Sequence, residues 1–262
     1  MNPWVAFWMV FTLLGTEAFY ILFCTFIYVS VDRRLAMKEF SAVLLAASAV
    51  LFLKQWLRLP RPPRSEWLAP AHGFGFPSGH AGVSSAFWFT LALEKPSPLM
   101  AAAAAVLVAL ISASRLALHV HYPRDIIGGL AVGTATALLV HVGGRRLGRG
   151  LPVVAGAVSA GLAAAALLRP ADAHTFYTTL AVMSIAVIVA AYPLVIEDLV
   201  ADKPPSPWWV GAALAAAMAA AALAINRYVV SPQLYMAAYM GLGAAILLSP
   251  RLLPPRGGAK QT

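Results

Sequence analysis

The segment SRLALHVHYPRD, from Ser114 to Asp125, places two histidines, two arginines and an aspartate within twelve residues of a very apolar chain. The chain has 262 residues, of which 61% are hydrophobic and 11% are charged. A soluble domain with one core cannot bury that much apolar surface, so lipid must solvate part of it. The composition therefore predicts an integral membrane protein, and the polar segment predicts a site where membrane-spanning helices end.

Apolar stretches recur along the chain at lengths close to the ~20 residues that a helix needs to cross a bilayer. The predicted spans cover residues 4–29, 40–57, 80–94, 98–117, 126–142, 151–168, 175–196, 208–225 and 234–248. The expected fold class is all-α, a polytopic transmembrane helical bundle of about nine spans.

The formal net charge of +9 bears on how the chain is oriented in the membrane and on which class of ligand it binds. Three basic segments fall on one predicted side: VDRRLAMKE at 31–39, GGRRLGRG at 143–150 and RLLPPRGGAK at 251–260. The positive-inside rule makes that side the inner one, with the N-terminus outside and the C-terminus inside. Further basic residues cluster on the outer side and favour an anionic ligand there. Nucleic acid is not expected as a partner, because no basic run is interleaved with aromatic residues.

Two more segments are expected on the outer side, KQWLRLPRP at 54–62 and FPSGHAG at 76–82. With Ser114 to Asp125 they give a pattern that closely resembles the three-part signature of the type 2 phosphatidic acid phosphatase (PAP2) superfamily. The pattern reads Lys54-x6-Arg61-Pro62, then Pro77-Ser78-Gly79-His80, then Ser114-Arg115-x5-His121-x3-Asp125.

The resemblance implies a PAP2-type catalytic transmembrane core over residues 1–142, with its motifs at 54–125, that extends as far as about residue 168. Residues 143–262 would then add further transmembrane helices and a basic C-terminal tail. The later predicted spans carry no recognisable chemical motif, so their role is left open.

A phosphoester or pyrophosphate carries two or more negative charges, which must be neutralised while a nucleophile displaces the leaving group. We assign that neutralisation to Lys54, Arg61 and Arg115, the arginines through bidentate hydrogen bonds and the lysine as a point charge. The backbone amides of Ser78 and Gly79, at a predicted helix start, would bind further phosphate oxygens. The predicted site uses no metal and no cofactor.

The histidines receive separate roles. Asp125 follows His121 by four residues, a spacing that brings a carboxylate to the imidazole and fixes its tautomer. We predict that His121 attacks phosphorus and forms a phosphohistidine, a hypothesis that the resemblance strengthens. His80 would protonate the departing oxygen and then activate water. His119 also follows Arg115, but the family spacing selects His121, and Asp125 stands at the right offset only for that residue.

Four other residues are candidates for lining the substrate path. Glu17 lies near the middle of the first predicted span, where an ionised carboxylate costs roughly 2.5–3.5 kcal/mol and is usually inward-facing or paired. A packing role for Glu17 is the alternative. The other three flank the motifs: Arg58, His119 and Arg124. For Arg124 a solvated loop charge is the alternative.

These observations predict a metal-independent phosphatase of the plasma membrane, acting at its outer face on a lipid phosphate or an undecaprenyl- or dolichyl-type pyrophosphate. The expected ligands are a membrane lipid and phosphate, and the sequence names no protein partner. Three alternatives stay open: a phosphatase of a soluble ester such as glucose 6-phosphate, a lipid phosphotransferase that uses the same residues, and a lipid transporter.

Overall fold

The computed structural model describes residues 2–229 and 231–253, without the side chains at positions 17 and 18. Over these residues the protein is built from helices. In chain order the α-helices are α1 Pro3–Leu13, α2 Glu17–Ser30, α3 Arg33–Leu57, α4 Gly79–Glu94, α5 Pro98–Ala117, α6 Pro123–Leu147, α7 Leu151–Leu167, α8 Ala173–Ala191, α9 Glu197–Val200, α10 Trp208–Tyr228 and α11 Pro232–Leu248. A π-helical turn, Tyr192–Ile196, joins α8 to α9.

The protein is an all-α, polytopic transmembrane bundle. Within the described residues, five helical runs are long and apolar enough to cross a membrane. They are Arg33–Leu57, Pro98–Ala117, Pro123–Leu167, Ala173–Val200 and Trp208–Tyr228. Helices α4 and α11 are shorter, with 16 and 17 residues, and complete the bundle beside them.

The first predicted span is not one helix. Helix α1 has 11 residues and α2 has 14. At about 1.5 Å per residue α1 covers roughly 17 Å, too little to cross the hydrocarbon core. The chain breaks at Leu14 to Thr16, where the Thr16 side chain accepts a hydrogen bond from the Phe19 amide and caps α2. A continuous apolar stretch hid this break because Gly15 and Thr16 are compatible with a helix interior.

Helices α4 and α6 pack by direct backbone contact. A Cβ atom built on Gly133 would lie 2.1 Å from the Gly82 carbonyl oxygen, and one on Gly129 would lie 2.5 Å from the Ser78 oxygen. Small residues at such positions let membrane helices approach closely. This contact fixes the start of α4, which carries Ser78 and His80, against the start of α6, which carries Asp125.

Helix α3 connects two chemically different ends of the bundle. Arg33 begins it and Lys54 lies in its last turn, so about 30 Å of helix separates them. At the Arg33 end, two of the three basic segments predicted to share one side meet around a cavity, lined by Arg33, Arg34, Lys38 and Arg149. Most of the third segment, residues 251–260, lies outside the described residues. The predicted phosphate site lies at the other end.

Candidate active site

The candidate site forms where α3 ends and where α4 and α6 begin. Helix α3 stops because Arg58 takes a left-handed conformation, with φ 53°. The following loop returns to the bundle, and the Gly75 amide donates to the Leu59 carbonyl. The Ser78 amide then donates 2.8 Å to the Asp125 carbonyl oxygen. These bonds bring the three sequence motifs into one place.

His121 and Asp125 form a buried pair. His121 Nδ1 lies 3.1 Å from Asp125 Oδ2, and the side chains are 2% and 0% exposed. The same Oδ2 accepts the Tyr122 amide at 3.0 Å and so caps the start of α6. Asp125 Oδ1 has no hydrogen-bond partner in the described residues; Arg124 Nε approaches it only to 3.7 Å. The spacing predicted between this histidine and this carboxylate is therefore realised as a contact.

Arg61 determines the protonation of the imidazole. Its Nη1 lies 2.7 Å from His121 Nε2. A guanidinium can only donate, so Nε2 is the unprotonated nitrogen and Nδ1 carries the proton toward Asp125. Arg61 is held in place by the carbonyl oxygens of Val120, His72 and Gly73, at 2.9, 2.8 and 3.1 Å. The geometry thus leaves a lone pair on Nε2.

Lys54 is buried beneath the same loop. Its Nζ donates to the carbonyl oxygens of Phe74 and Gly75, at 2.6 and 3.0 Å. An ammonium group has three donors, so one N–H stays available for a ligand. Lys54 and Arg61 together donate to five carbonyl groups, those of residues 72–75 and 120. The two cations therefore hold the loop in place and still have N–H groups available for a ligand.

Arg115, on the last turn of α5, is also buried. Its Nη1 donates 3.1 Å to Thr12 Oγ1 at the end of α1, and its Nε has no partner among the described residues. His80, in the first turn of α4, likewise has a buried Nε2 without a partner there. With Asp125 Oδ1, three polar atoms of the predicted site therefore lack a hydrogen-bond partner among the described residues.

The backbone amide of Ser78, which we expected to bind a phosphate oxygen, is used within the protein. Its side chain caps α4, accepting the Ala81 amide at 3.5 Å, and its own amide donates to Asp125. That amide is therefore not free to bind phosphate, because helix packing has already used it. Gly79 begins α4, where helical amides lack intrahelical partners, so its amide keeps the position expected for a phosphate contact.

The residues predicted to line the path lie in different surroundings. Arg58 is exposed, donates 2.9 Å to the Pro170 carbonyl and covers the Phe74 ring. Arg124 is exposed over the Tyr122 ring, and His119 is exposed with φ 56°. Glu17 is the first residue of α2, directly after the break, rather than the middle of a span; its side chain lies outside the described residues.

The turn between α7 and α8 also borders the site. The sequence did not predict this contact. The His72 and His174 rings stack with centroids 4.2 Å apart. A Cβ atom on Gly73 would lie 2.7 Å from Thr175 Oγ1, and Arg58 donates to Pro170 in this turn. The turn thus packs on the loop whose carbonyls hold Lys54 and Arg61.

Burial and the charges of the site shift the pKa values of His121 and Arg61. Burial, followed by the positive charges of Arg61, Lys54 and Arg115, holds the pKa of His121 well below its ordinary value. Burial also lowers the pKa of Arg61, to about 10, which leaves this side chain protonated at neutral pH. A neutral imidazole beside charged arginines suits a nucleophile that must meet an anion.

Part of this chain is similar to known proteins. Residues 35–149 match the family model described as the PAP2 superfamily. Over 97 residues the chain is 30% identical to phosphatidylglycerophosphatase B of Bacillus subtilis (strain 168), a match that covers 34% of this chain and 47% of that protein. The chain thus spans about half the length of this curated relative.

A solved structure is also similar: the crystal structure of the first transmembrane PAP2 type phosphatidylglycerolphosphate phosphatase from Bacillus subtilis. It shares 25% identity, with 57% of this chain and 81% of that chain covered, at a TM-score of 0.47. Residues 35–149, the part of the chain that matches the PAP2 superfamily model, hold all three motifs.

Proposed function

We propose that this protein is a membrane phosphatase that cleaves a lipid phosphate or isoprenoid pyrophosphate through a covalent intermediate on His121. The observation that carries the proposal is the hydrogen-bonded chain from Arg61 to the buried His121 and Asp125, which leaves the His121 Nε2 lone pair free of a proton. Lys54 and Arg115 lie near enough for their charges to act on His121. A nucleophile oriented by a carboxylate and surrounded by cations fits attack on a phosphate.

In the first step, the phosphate would replace His121 Nε2 as the acceptor of Arg61 Nη1. Nε2 then attacks phosphorus, a nitrogen–phosphorus bond forms and the bond to the leaving oxygen breaks. The electron pair of that bond goes to the leaving oxygen, which takes a proton from His80. Asp125 stabilises the charge that develops on the imidazole.

In the second step, His80 accepts a proton from water as the water oxygen attacks phosphorus. The nitrogen–phosphorus bond breaks and its electron pair returns to Nε2, so inorganic phosphate leaves and His121 is regenerated. Each step places the phosphoryl charge among Lys54, Arg61 and Arg115. The described residues hold no group of three His, Cys, Asp or Glu side chains suited to a metal, and the proposal routes no step through one.

A lipid substrate is supported by the position of the site at the ends of transmembrane helices. There a phosphorylated headgroup can reach His121 while its tail stays in the bilayer. The name of the Bacillus subtilis relative, phosphatidylglycerophosphatase B, supports a lipid phosphomonoester. The basic segments at the opposite end support an outer-face site by the positive-inside rule. We assign the chemistry to residues 1–142, and to the later helices a supporting role through the α7–α8 turn.

The test is phosphate release by the purified full chain in detergent with EDTA present. The substrates are phosphatidylglycerol phosphate, phosphatidate, a sphingoid phosphate, isoprenyl pyrophosphates and glucose 6-phosphate, with His121→Ala as the matched inactive variant. We expect release from one lipid class that disappears in the variant. Release that requires added metal, or that persists in His121→Ala, would overturn the proposed mechanism.

The same assay separates the alternatives. Turnover of glucose 6-phosphate in preference to every lipid would indicate a soluble substrate. Loss of substrate phosphate without release of inorganic phosphate, on addition of an acceptor lipid, would indicate a phosphotransferase. No chemistry on any substrate would favour a transporter.

A further inference from the structure

The break between α1 and α2 lies against the candidate site. It is outside the region that matches the family, residues 35–149. Helix α1 packs on the loops at the site end of the bundle, where Val5, Trp8 and Met9 contact a cluster formed by Ala69, Leu118 and Val120. Thr12 and Gly15, at the end of α1, then face Arg115 and His80.

The donor and the acceptor of each hydrogen bond around Thr12 can be assigned. Ser114 Oγ donates 2.6 Å to the Ile111 carbonyl, so its proton is used. Thr12 Oγ1, 3.0 Å away, must therefore donate to Ser114 Oγ, which leaves its lone pairs facing Arg115. Arg115 Nη1 donates to Thr12 at 3.1 Å. The chain of bonds fixes the guanidinium through one nitrogen and leaves the buried Nε unpaired.

Gly15 provides the space for His80. A Cβ atom at position 15 would lie 2.6 Å from His80 Cδ2 and 3.1 Å from Ile111 Cγ2. Real Cβ atoms do not make the shorter contact, so any larger residue would displace the imidazole. The buried His80 Nε2 has no partner in the described part of the chain, so the ring is held here by packing.

We propose that Thr12 and Gly15 are positioning residues of the phosphate site: Thr12 orients Arg115 for an oxyanion, and Gly15 gives His80 its place beside it. The idea deepens the proposed function, on which its kinetic part rests. Binding of an oxyanion tests it without turnover, because Arg115 would contact the anion whether or not a bond is broken.

The first experiment measures binding of orthovanadate, a phosphate analogue, to the detergent-solubilised full chain. Thr12→Val removes the hydroxyl at nearly constant volume and should weaken binding about tenfold, as expected for one hydrogen bond to a charged group. Thr12→Ser keeps the hydroxyl and should bind like the wild type. Thr136→Val is the control, since its hydroxyl bonds only the Val132 carbonyl within α6.

A double-mutant cycle separates positioning from folding. In an Arg115→Ala background, Thr12→Val should have no further effect on orthovanadate binding. An equal effect in both backgrounds, or wild-type binding by Thr12→Val, would overturn the inference. If the wild type binds orthovanadate through Thr12 and Arg115 but releases no phosphate from any substrate, the proposed function fails while this inference stands. No binding by the wild type would overturn both.

Gly15→Ala tests the second position. Displacing His80 should lower kcat by about 100-fold, as small misplacements of a catalytic group do, while orthovanadate binding stays at the wild-type level. Unchanged kcat in Gly15→Ala would contradict the role given to Gly15.

Discussion

Helix α6 carries a histidine–carboxylate contact near each end. At its start, His121 Nδ1 lies 3.1 Å from Asp125; toward its end, His141 Nδ1 lies 3.0 Å from Glu94. About 24 Å of helix separates positions 125 and 141. The two contacts are nearly equal in length. Any difference in function between the two ends must therefore come from the residues that surround each contact.

At the first end, the nearest cation binds the histidine. Arg61 donates to His121 Nε2, and the site holds two buried cations besides it, Lys54 and Arg115, against the single carboxylate of Asp125, so positive charge is in excess. At the second end, Lys38 binds the same carboxylate as His141, and the pair is partly exposed. The cation there is neutralised by Glu94. An excess of positive charge that too few carboxylates neutralise is what we expect of the proposed phosphate site, because burial strengthens the attraction of these cations for an anion.

The largest expected contrast is between the two histidines. His121→Ala should lower phosphate release by at least about 10⁴-fold, because it removes the proposed nucleophile. His141→Ala removes an equivalent contact and should leave turnover near the wild-type level. Phosphate release under EDTA, with circular dichroism to verify folding, measures both. Equal losses in the two variants would show that the ends do not differ in function.

The two carboxylates give the next contrast. Asp125→Asn should lower kcat about 10³-fold, because an amide no longer holds the Nδ1–H tautomer nor stabilises a charged imidazole. Glu94→Gln should affect stability and leave kcat unchanged. Steady-state kinetics of both variants on the best substrate checks this pair, and an active Asp125→Asn enzyme would remove the orienting role of Asp125.

A smaller effect is expected from the arginines. Arg61→Lys keeps the charge but loses the planar group that binds His121 and three carbonyls, and should cost about 100-fold in kcat/KM. Arg149→Lys, at the exposed far end where Arg149 binds Glu197 and Asp198, is the control and should change nothing measurable. Similar kinetics for the two variants would contradict a geometric role for Arg61.

The smallest predicted effect concerns pH and stability. The folded-state pKa of His121 lies below its unfolded value near 6.5, so below pH 6.5 the unfolded chain takes up a proton that the folded chain does not. The free energy of unfolding should therefore fall with decreasing pH by up to about 1.4 kcal/mol per pH unit from this group. Melting temperatures of the wild type and His121→Asn between pH 7 and 5 should move apart in favour of the variant. Parallel curves would contradict the lowered pKa.

The sequence predicted which segments lie together better than it predicted where the helices break. The three motifs have fixed spacings and lie where predicted spans end or begin, which made their convergence predictable. The break after α1 was missed because its three residues, Leu14 to Thr16, lie in a continuous apolar stretch and include none that excludes a helix interior. The α7–α8 turn was missed because its contacts with His72 and Gly73 are tertiary and follow no motif. The Ser78 amide was misassigned because its partner, the Asp125 carbonyl, depends on how α4 packs against α6.

The most direct test of the account is to look for phosphate on His121. Wild-type protein and His121→Ala are mixed with substrate carrying a radioactive phosphoryl group, quenched rapidly in alkali, where phosphohistidine survives, and analysed for label on the protein. The account predicts label on the wild type that maps to the peptide containing His121 and is absent from His121→Ala. Rapid turnover by the wild type with no label at any quench time, or label on another residue, would contradict it.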